Sequence, residues 1–172
     1  MTAVEIKGLR DAQQPANETP LRSMVRCYGL IERVMNPYFA QFGISGAQWG
    51  VLVTLDRFKT EYAQGMRLSD LGELLLVRPP SVTGVVDRLE RSGLVTRAAQ
   101  PGDMRAKLVR LTARGSRLVD RISGAHNRQV DRVLAGLSAS QRQRLQTLLV
   151  RMTSHLETLL DDPAVDVEVA AG

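Results

Sequence analysis

Residues 79–112 read PPSVTGVVDRLERSGLVTRAAQPGDMRAKLVRLT, and the fold turns on how they divide. The two prolines stand where a helix start has amides to spare, and Gly93 stands just past the last helical residue, where a left-handed conformation closes a helix. PPSVTGVVDRLERSG therefore predicts a short helix. The period then changes: LVTRAA and KLVRLT each alternate for six residues on either side of QPGDMRA, the pattern of a β-hairpin and its tip. Upstream, LSDLGELLL predicts another short helix, with Ser69 as N-cap and acids in its early turns. Two short helices joined by a tight turn make a helix-turn-helix, and a hairpin directly after them makes it winged.

Longer helices flank this unit. Upstream, Leu21, Met24, Val25, Tyr28, Ile31, Met35, Tyr38, Phe39 and Phe42 recur three or four apart and end at Gly43. Pro37 lies inside this helix and predicts a kink near Met35–Asn36, because it supplies no amide to the helix. SGAQWGVLVTLDRF predicts a second helix that frays into TEYAQG. Downstream, Thr112 is placed to cap a helix carrying Leu118, Ile122, His126, Gln129, Val133 and Leu137. Ser138 and Gln141 form a capping box before a last helix striped with Leu145, Leu148, Leu149, Met152, Leu156, Leu159 and Leu160. The short central unit is too small to cover three long apolar stripes, so the stripes are expected to cover one another in a dimer.

The fold class is thus mainly α with a small antiparallel β-hairpin, a winged helix-turn-helix set between long dimerisation helices. The organisation expected is an N-terminal arm at 1–19, support and dimerisation helices at 20–65, a winged region at 66–111, C-terminal dimerisation helices at 112–161 and a disordered acidic tail at 162–172.

Composition narrows the function. With 172 residues, 44% hydrophobic and 24% charged, the chain can bury a core without staples. The lone Cys27 allows no intrachain disulfide, no signal-like segment opens the chain, and no apolar run approaches the ~20 residues of a membrane span, so a cytoplasmic protein without a membrane role is expected. The net charge is +5; four of the 18 acids and none of the 23 bases fall in the last twelve residues, leaving +9 over residues 1–160. Such charge attracts polyanions, although 20 of the bases being Arg also fits a GC-rich genome. No phosphate-binding loop, dinucleotide glycine fingerprint, His-Glu-x-x-His or Cys/His pairing is present, so an enzyme is not expected. His126, His155 and Cys27 form no metal-ligand cluster, and no cofactor is expected.

The order of elements, PPSVTGVVDRLERSGLV at 79–95 and DMRAKLVRLT at 103–112, together resemble the recognition helix and the Asp-x-Arg wing of the MarR (multiple antibiotic resistance regulator) family of bacterial transcription factors. The resemblance spans roughly residues 21–160. It implies a homodimer that binds double-stranded DNA, represses from a palindromic operator, and is released by a small aromatic or anionic effector. The matching positions carry over as DNA contacts: Arg78, Pro80, Ser81, Thr83, Gly84, Arg88, Arg97, Asp103, Arg105 and Lys107. Short polar Ser81 and Thr83 suit base edges in the major groove, though Ser81 could instead cap its helix. Arg88 could reach a phosphate or pair with Asp87 and Glu90. Arg105 at the wing suits the minor groove, with Asp103 orienting its guanidinium. Many relatives carry a base where this chain has Gly84 and a small polar cap near Arg78, so direct readout is thinner here. All seven aromatic residues lie between Tyr28 and Tyr62, none in the winged segment, which favours duplex over single-stranded nucleic acid.

The resemblance also implies an effector crevice between the dimer helices and the winged unit, for which Tyr28, Trp49 and His126 are the candidates, with ordinary helix packing as the alternative reading. Gly50 and Gly84 depart from the urate-responsive branch, while Arg97 matches it. Two rival functions remain: a redox-sensing repressor acting through Cys27, expected to be buried and inert instead, and a helical interaction protein without DNA.

Overall fold

Thr19 and Pro20 start the first helix. The Thr19 hydroxyl accepts from the Arg22 amide at 3.3 Å, and Pro20 takes the first helical position, where its missing N–H costs nothing. In the computed structural model, which describes residues 19–76, 79–100 and 103–161 and only the backbone at 79, 80, 100 and 103–106, α1 spans Pro20–Ala40. It continues through Pro37, and Gly43 follows at φ 72°. The N-terminal arm, except Thr19, and the tail from 162 lie outside the described residues.

A capping box opens α2 (Gly46–Arg57): the Ser45 hydroxyl accepts from the Gln48 amide and the Gln48 side chain accepts from the Ser45 amide. Next comes β1 (Met66–Arg67), then α3 (Leu68–Leu75), α4 (Pro79–Arg91), β2 (Val95–Gln100), β3 (Asp103–Leu111), α5 (Ala113–Val133) and α6 (Ala139–Asp161). The hairpin expected from alternation is one part of a three-stranded antiparallel sheet ordered β1-β3-β2. Two-residue β1 is too short to alternate visibly; it pairs Met66 with Val109 and Arg67 with Leu108. Ser69 does not cap α3. Because β1 runs straight into the helix, Arg67 occupies the cap position and its side chain makes no capping hydrogen bond, while the Ser69 hydroxyl donates to Asp70 at 3.0 Å.

The core gathers where α2, α3, α4, α5 and the sheet converge. Leu52, Leu71, Val86, Leu89, Val109 and Ile122 are fully buried. At ~1.5–3 kcal/mol for each large aliphatic side chain, they hold the winged unit without help from the long helices' outer faces.

One junction sets the direction of chain on both sides of the wing. At the end of α4 the Leu94 amide donates to Leu89 O and the Gly93 amide to Glu90 O, a Schellman closure around Gly93 at φ 67°. Thr112, at the far end of β3, donates from its amide to Leu94 O at 3.1 Å and from its hydroxyl to Gly93 O at 2.8 Å. The same hydroxyl accepts from the Gly115 amide at 3.0 Å, capping α5. Gly115 touches Leu94 so closely that a Cβ there would overlap the Leu94 carbonyl oxygen.

A second cluster joins α1, α2 and α5. Phe39 stacks on Trp49 at 5.9 Å between ring centroids, and the His126 ring lies 5.3 Å from Trp49 and 6.0 Å from both Phe39 and Tyr38. Tyr38 donates its hydroxyl to Ile122 O. His126 Nδ1 is buried without a partner among the described residues, and burial lowers its pKa.

The chain divides into two compact units, Met1–Asn127 and Arg128–Gly172, the boundary falling within α5. In the second, α5 stops at Val133, so Leu137 lies in the connecting turn and not in the helix; its carbonyl accepts from Arg142 Nε at 3.1 Å. Arg142 also bridges to Asp131 at 3.2 Å. The Ser138–Gln141 capping box forms as expected. No residue of α6 is buried.

Two outcomes follow. Gly115→Ala must push the Leu94 carbonyl aside and should cost about 1–3 kcal/mol in denaturant unfolding, the range for overpacking. For His126, the unfolded chain takes up a proton near the ordinary pKa of about 6.5 while the folded chain resists it. Stability is therefore full above that pH and falls as pH drops below it; the melting temperature of His126→Phe should fall less than wild type between pH 7 and 5.

Candidate nucleic-acid interface

Helix α4 buries one face and offers the other. Val82, Val85, Val86 and Leu89 pack into the core, while Ser81, Thr83 and Arg88 are exposed. Ser81 is the third residue of α4, so it sits inside the helix and not at its cap. Arg78 lies outside the described residues, and Pro80 is placed by its backbone alone, at the second helical position. Gly84 leaves open space: the nearest atom to a Cβ built there is Arg88 Nη1 at 3.8 Å, so the Arg88 guanidinium reaches back along the outer face toward the helix start.

The carboxylates beside Arg88 are engaged elsewhere. Arg97 on β2 bridges Asp87 at 2.6 Å and Glu90 at 3.0 Å, and its amide donates to Glu90 at 3.2 Å. Its side chain is 16% exposed, with Nε and Nη2 buried and without partners among the described residues. Arg97 thus braces the wing against α4, and its charge is spent inside the molecule. Arg88, freed from both acids, keeps its charge at the surface.

On the wing, Lys107 and Arg110 are exposed along β3. Ala99 pairs with Lys107 but its neighbour Gln100 pairs with Asp103, so three residues of β3 bulge between adjacent partners. Arg105 is the middle one. An irregularity of this kind interrupts the ladder and bends the hairpin end. Between α3 and α4, exposed Leu76 adopts φ 53°, the one non-glycine left-handed residue among those described. The alternation rules that found the helices carry no signal for it.

Behind the exposed face lies a cleft of about 360 Å³ between α1, α2 and α4, lined among others by Tyr28, Glu32, Met35, Gly50, Ser81 and Val85. Tyr28 belongs to it; Trp49 and His126 do not, being packed in the aromatic cluster. The Tyr28 hydroxyl donates to Glu32 at 3.2 Å, and that bond with the adjacent negative charge raises the phenol pKa. Glu32 was missed as a site residue, although its i,i+4 spacing from Tyr28 was visible. Cys27, expected to be buried, is exposed on α1. Among the described residues no group of three or more His, Cys, Asp or Glu could hold a metal, and no helix is long and apolar enough to cross a membrane.

Comparison with known proteins agrees with this arrangement. The model described as MarR family matches residues 42–106. The uncharacterized HTH-type transcriptional regulator YkoM of Bacillus subtilis is 31% identical over 121 residues, covering 70% of this chain and 75% of that protein. Among solved structures, a mutant MarR from E. coli complexed with operator DNA superposes with a TM-score of 0.68 at 25% identity, over 76% of this chain and 91% of its own. BpsR of Bordetella bronchiseptica, whose DNA binding is regulated by 6-hydroxynicotinic acid, does so with 0.66 at 25% identity, over 76% and 95%. With an exposed recognition face, a braced wing and these relatives, the chain belongs to the MarR family: it is a transcriptional regulator that binds DNA, not an enzyme.

Proposed function

We propose that the chain acts in the cytoplasm as a homodimeric repressor that grips a palindromic operator with two copies of the 66–111 region. Segments 20–65 and 112–161 supply the dimer. The observation that carries this reading is the uncovered apolar surface on the first and last helices. On α1, Leu21, Val25 and Val34 are 54–70% exposed; on α6, Leu148, Leu156 and Leu160 are 49–84% exposed. Large apolar side chains this exposed along two long helices mark a partner surface, and a second copy presents the same helices.

Within each half, Ser81 and Thr83 read base edges, Gly84 admits the close approach of DNA, and Arg78, Pro80 and Arg88 set the helix start against the backbone. Arg105 enters the minor groove, oriented by Asp103, while Lys107 contacts phosphate. Arg97 contributes through the wing it braces. A dimer reads half-sites about one turn, ~34 Å, apart, so a small change in spacing breaks simultaneous engagement. The cleft behind α4 suits a small aromatic effector, as BpsR is regulated by one. Its described lining holds Glu32 and no base, which fits an uncharged or cationic ring better than an anion.

Light scattering and gel shift test this together. Leu148→Glu with Leu156→Glu should yield a folded monomer whose operator affinity falls about a hundredfold, the loss expected when two linked contacts become one. A wild-type monomer at working concentrations would overturn the reading. Affinity of the wild type should fall steeply with salt, and Arg105→Ala should weaken binding and lower the log–log salt slope by about one per wing.

A further inference from the structure

A second cavity, of about 540 Å³, opens beside Ser92 and Leu94, at the end of α4 opposite Ser81. Ser92, just past the helix end, is eleven positions on from Ser81, about 16 Å at the usual rise, so this cavity lies well away from the helix start proposed to read DNA. One wall is a face of α5 carrying Arg114, Arg117 and Arg121 at three- and four-residue spacing; the floor is Phe42, Ile44 and Leu94. Ile44 and Leu94 are buried, whereas the three arginines are exposed.

The charge here is unbalanced. No acid lines the cavity, and none of its three guanidiniums forms an ion pair among the described residues, whereas Arg97 and Arg142 both do. Arg114 bends over the Gly93 turn, with Nη1 3.9 Å from where a Cβ on that glycine would stand. Arg121 lies over the Phe42 ring at 5.7 Å. Three like charges round one concavity repel each other until a multivalent anion enters, and guanidinium forks match phosphate oxygens in bidentate fashion. The aromatic and aliphatic floor offers a planar ring a surface beside them.

We propose that this cavity binds a small aromatic polyanion of the nucleoside diphosphate class, its ring against Phe42 and the aliphatic floor and its phosphates held by Arg114, Arg117 and Arg121. The site is separate from the acid-lined cleft and does not depend on which effector that cleft takes. A phosphate could also come from a duplex backbone, so the test separates the two sources. Titration calorimetry on the full chain uses ADP, inorganic pyrophosphate and uncharged adenosine, with and without saturating operator duplex. Saturable ADP binding at one per chain, weaker pyrophosphate binding, no adenosine binding, and ADP binding that survives operator saturation are expected. Arg117→Glu should weaken ADP by about tenfold or more, the worth of a lost charge-assisted pair. Arg128→Glu removes the same charge further along α5 and should leave ADP binding intact. Arg121→Gln, with a melting curve for each variant, guards against a folding defect in the first. Equal losses in the Arg117 and Arg128 variants, adenosine binding as well as ADP, no binding of ADP at all, or loss of ADP binding in the operator complex would each overturn the proposal.

Discussion

The Leu94 carbonyl oxygen is the point on which the winged unit is hung. It accepts from Thr112, whose hydroxyl also takes the carbonyl of Gly93 and caps α5 through Gly115. Three elements thereby meet in a few atoms: the end of α4, the base of the hairpin and the start of α5. Each bond alone is worth about 1 kcal/mol, but the backbone groups are partly buried and leaving them unpaired would cost more. A side chain at position 115 cannot be accommodated without opening that meeting point, so the angle between recognition helix and wing is set by backbone geometry. The exposed side chains of α4 are free to differ without disturbing it.

Charge is sorted by the same framework. Arg97, Asp87 and Glu90 form a group summing to −1, so the other ionisable residues of 66–114 carry +5 where the whole segment carries +4. Drawing two acids into contact with one part-buried base weakens their field at Arg88 and leaves the outer face of α4 more positive. Removing one member of a part-buried group strands the others without a partner, which is why such a group locks the wing to the helix more firmly than exposed pairs do.

Much of this was legible in the chain. The change from a helical to an alternating period between Gly93 and Thr112, the glycine closure of α4, the Thr112 cap and the Ser138–Gln141 box are all local signals, and each appears where local chemistry places it. What was hidden depends on distant partners. β1 is two residues long and exists because β3 offers it hydrogen bonds. Ser69 loses the cap because that strand carries the chain directly into α3. Arg97 reads as one more surface base until β2 is laid beside α4. Tyr28, Trp49 and His126 all look like aromatic or polar groups near one crevice, yet helix rotation sends Tyr28 to the cleft and the other two into a packed cluster. The left-handed Leu76 obeys no residue preference at all.

The cleft and the junction together decide how an occupant would act on DNA. α4 is pinned at its C-terminal end by the Schellman closure and Thr112, while its first turns, through Ser81, Val82 and Val85, form a wall of the cleft. A molecule wedged against that wall loads the helix at the end away from that junction. Packed helices move as rigid rods, so the response is a swing about the Leu94 end, and displacement is greatest in the first turns, where Ser81 and Thr83, the residues proposed to read base edges, are exposed. Leu76 bears on this, because a left-handed leucine stores on the order of 1 kcal/mol that a change in the turn can release. The lever is longest in the first turns of α4, farthest from the Leu94 junction.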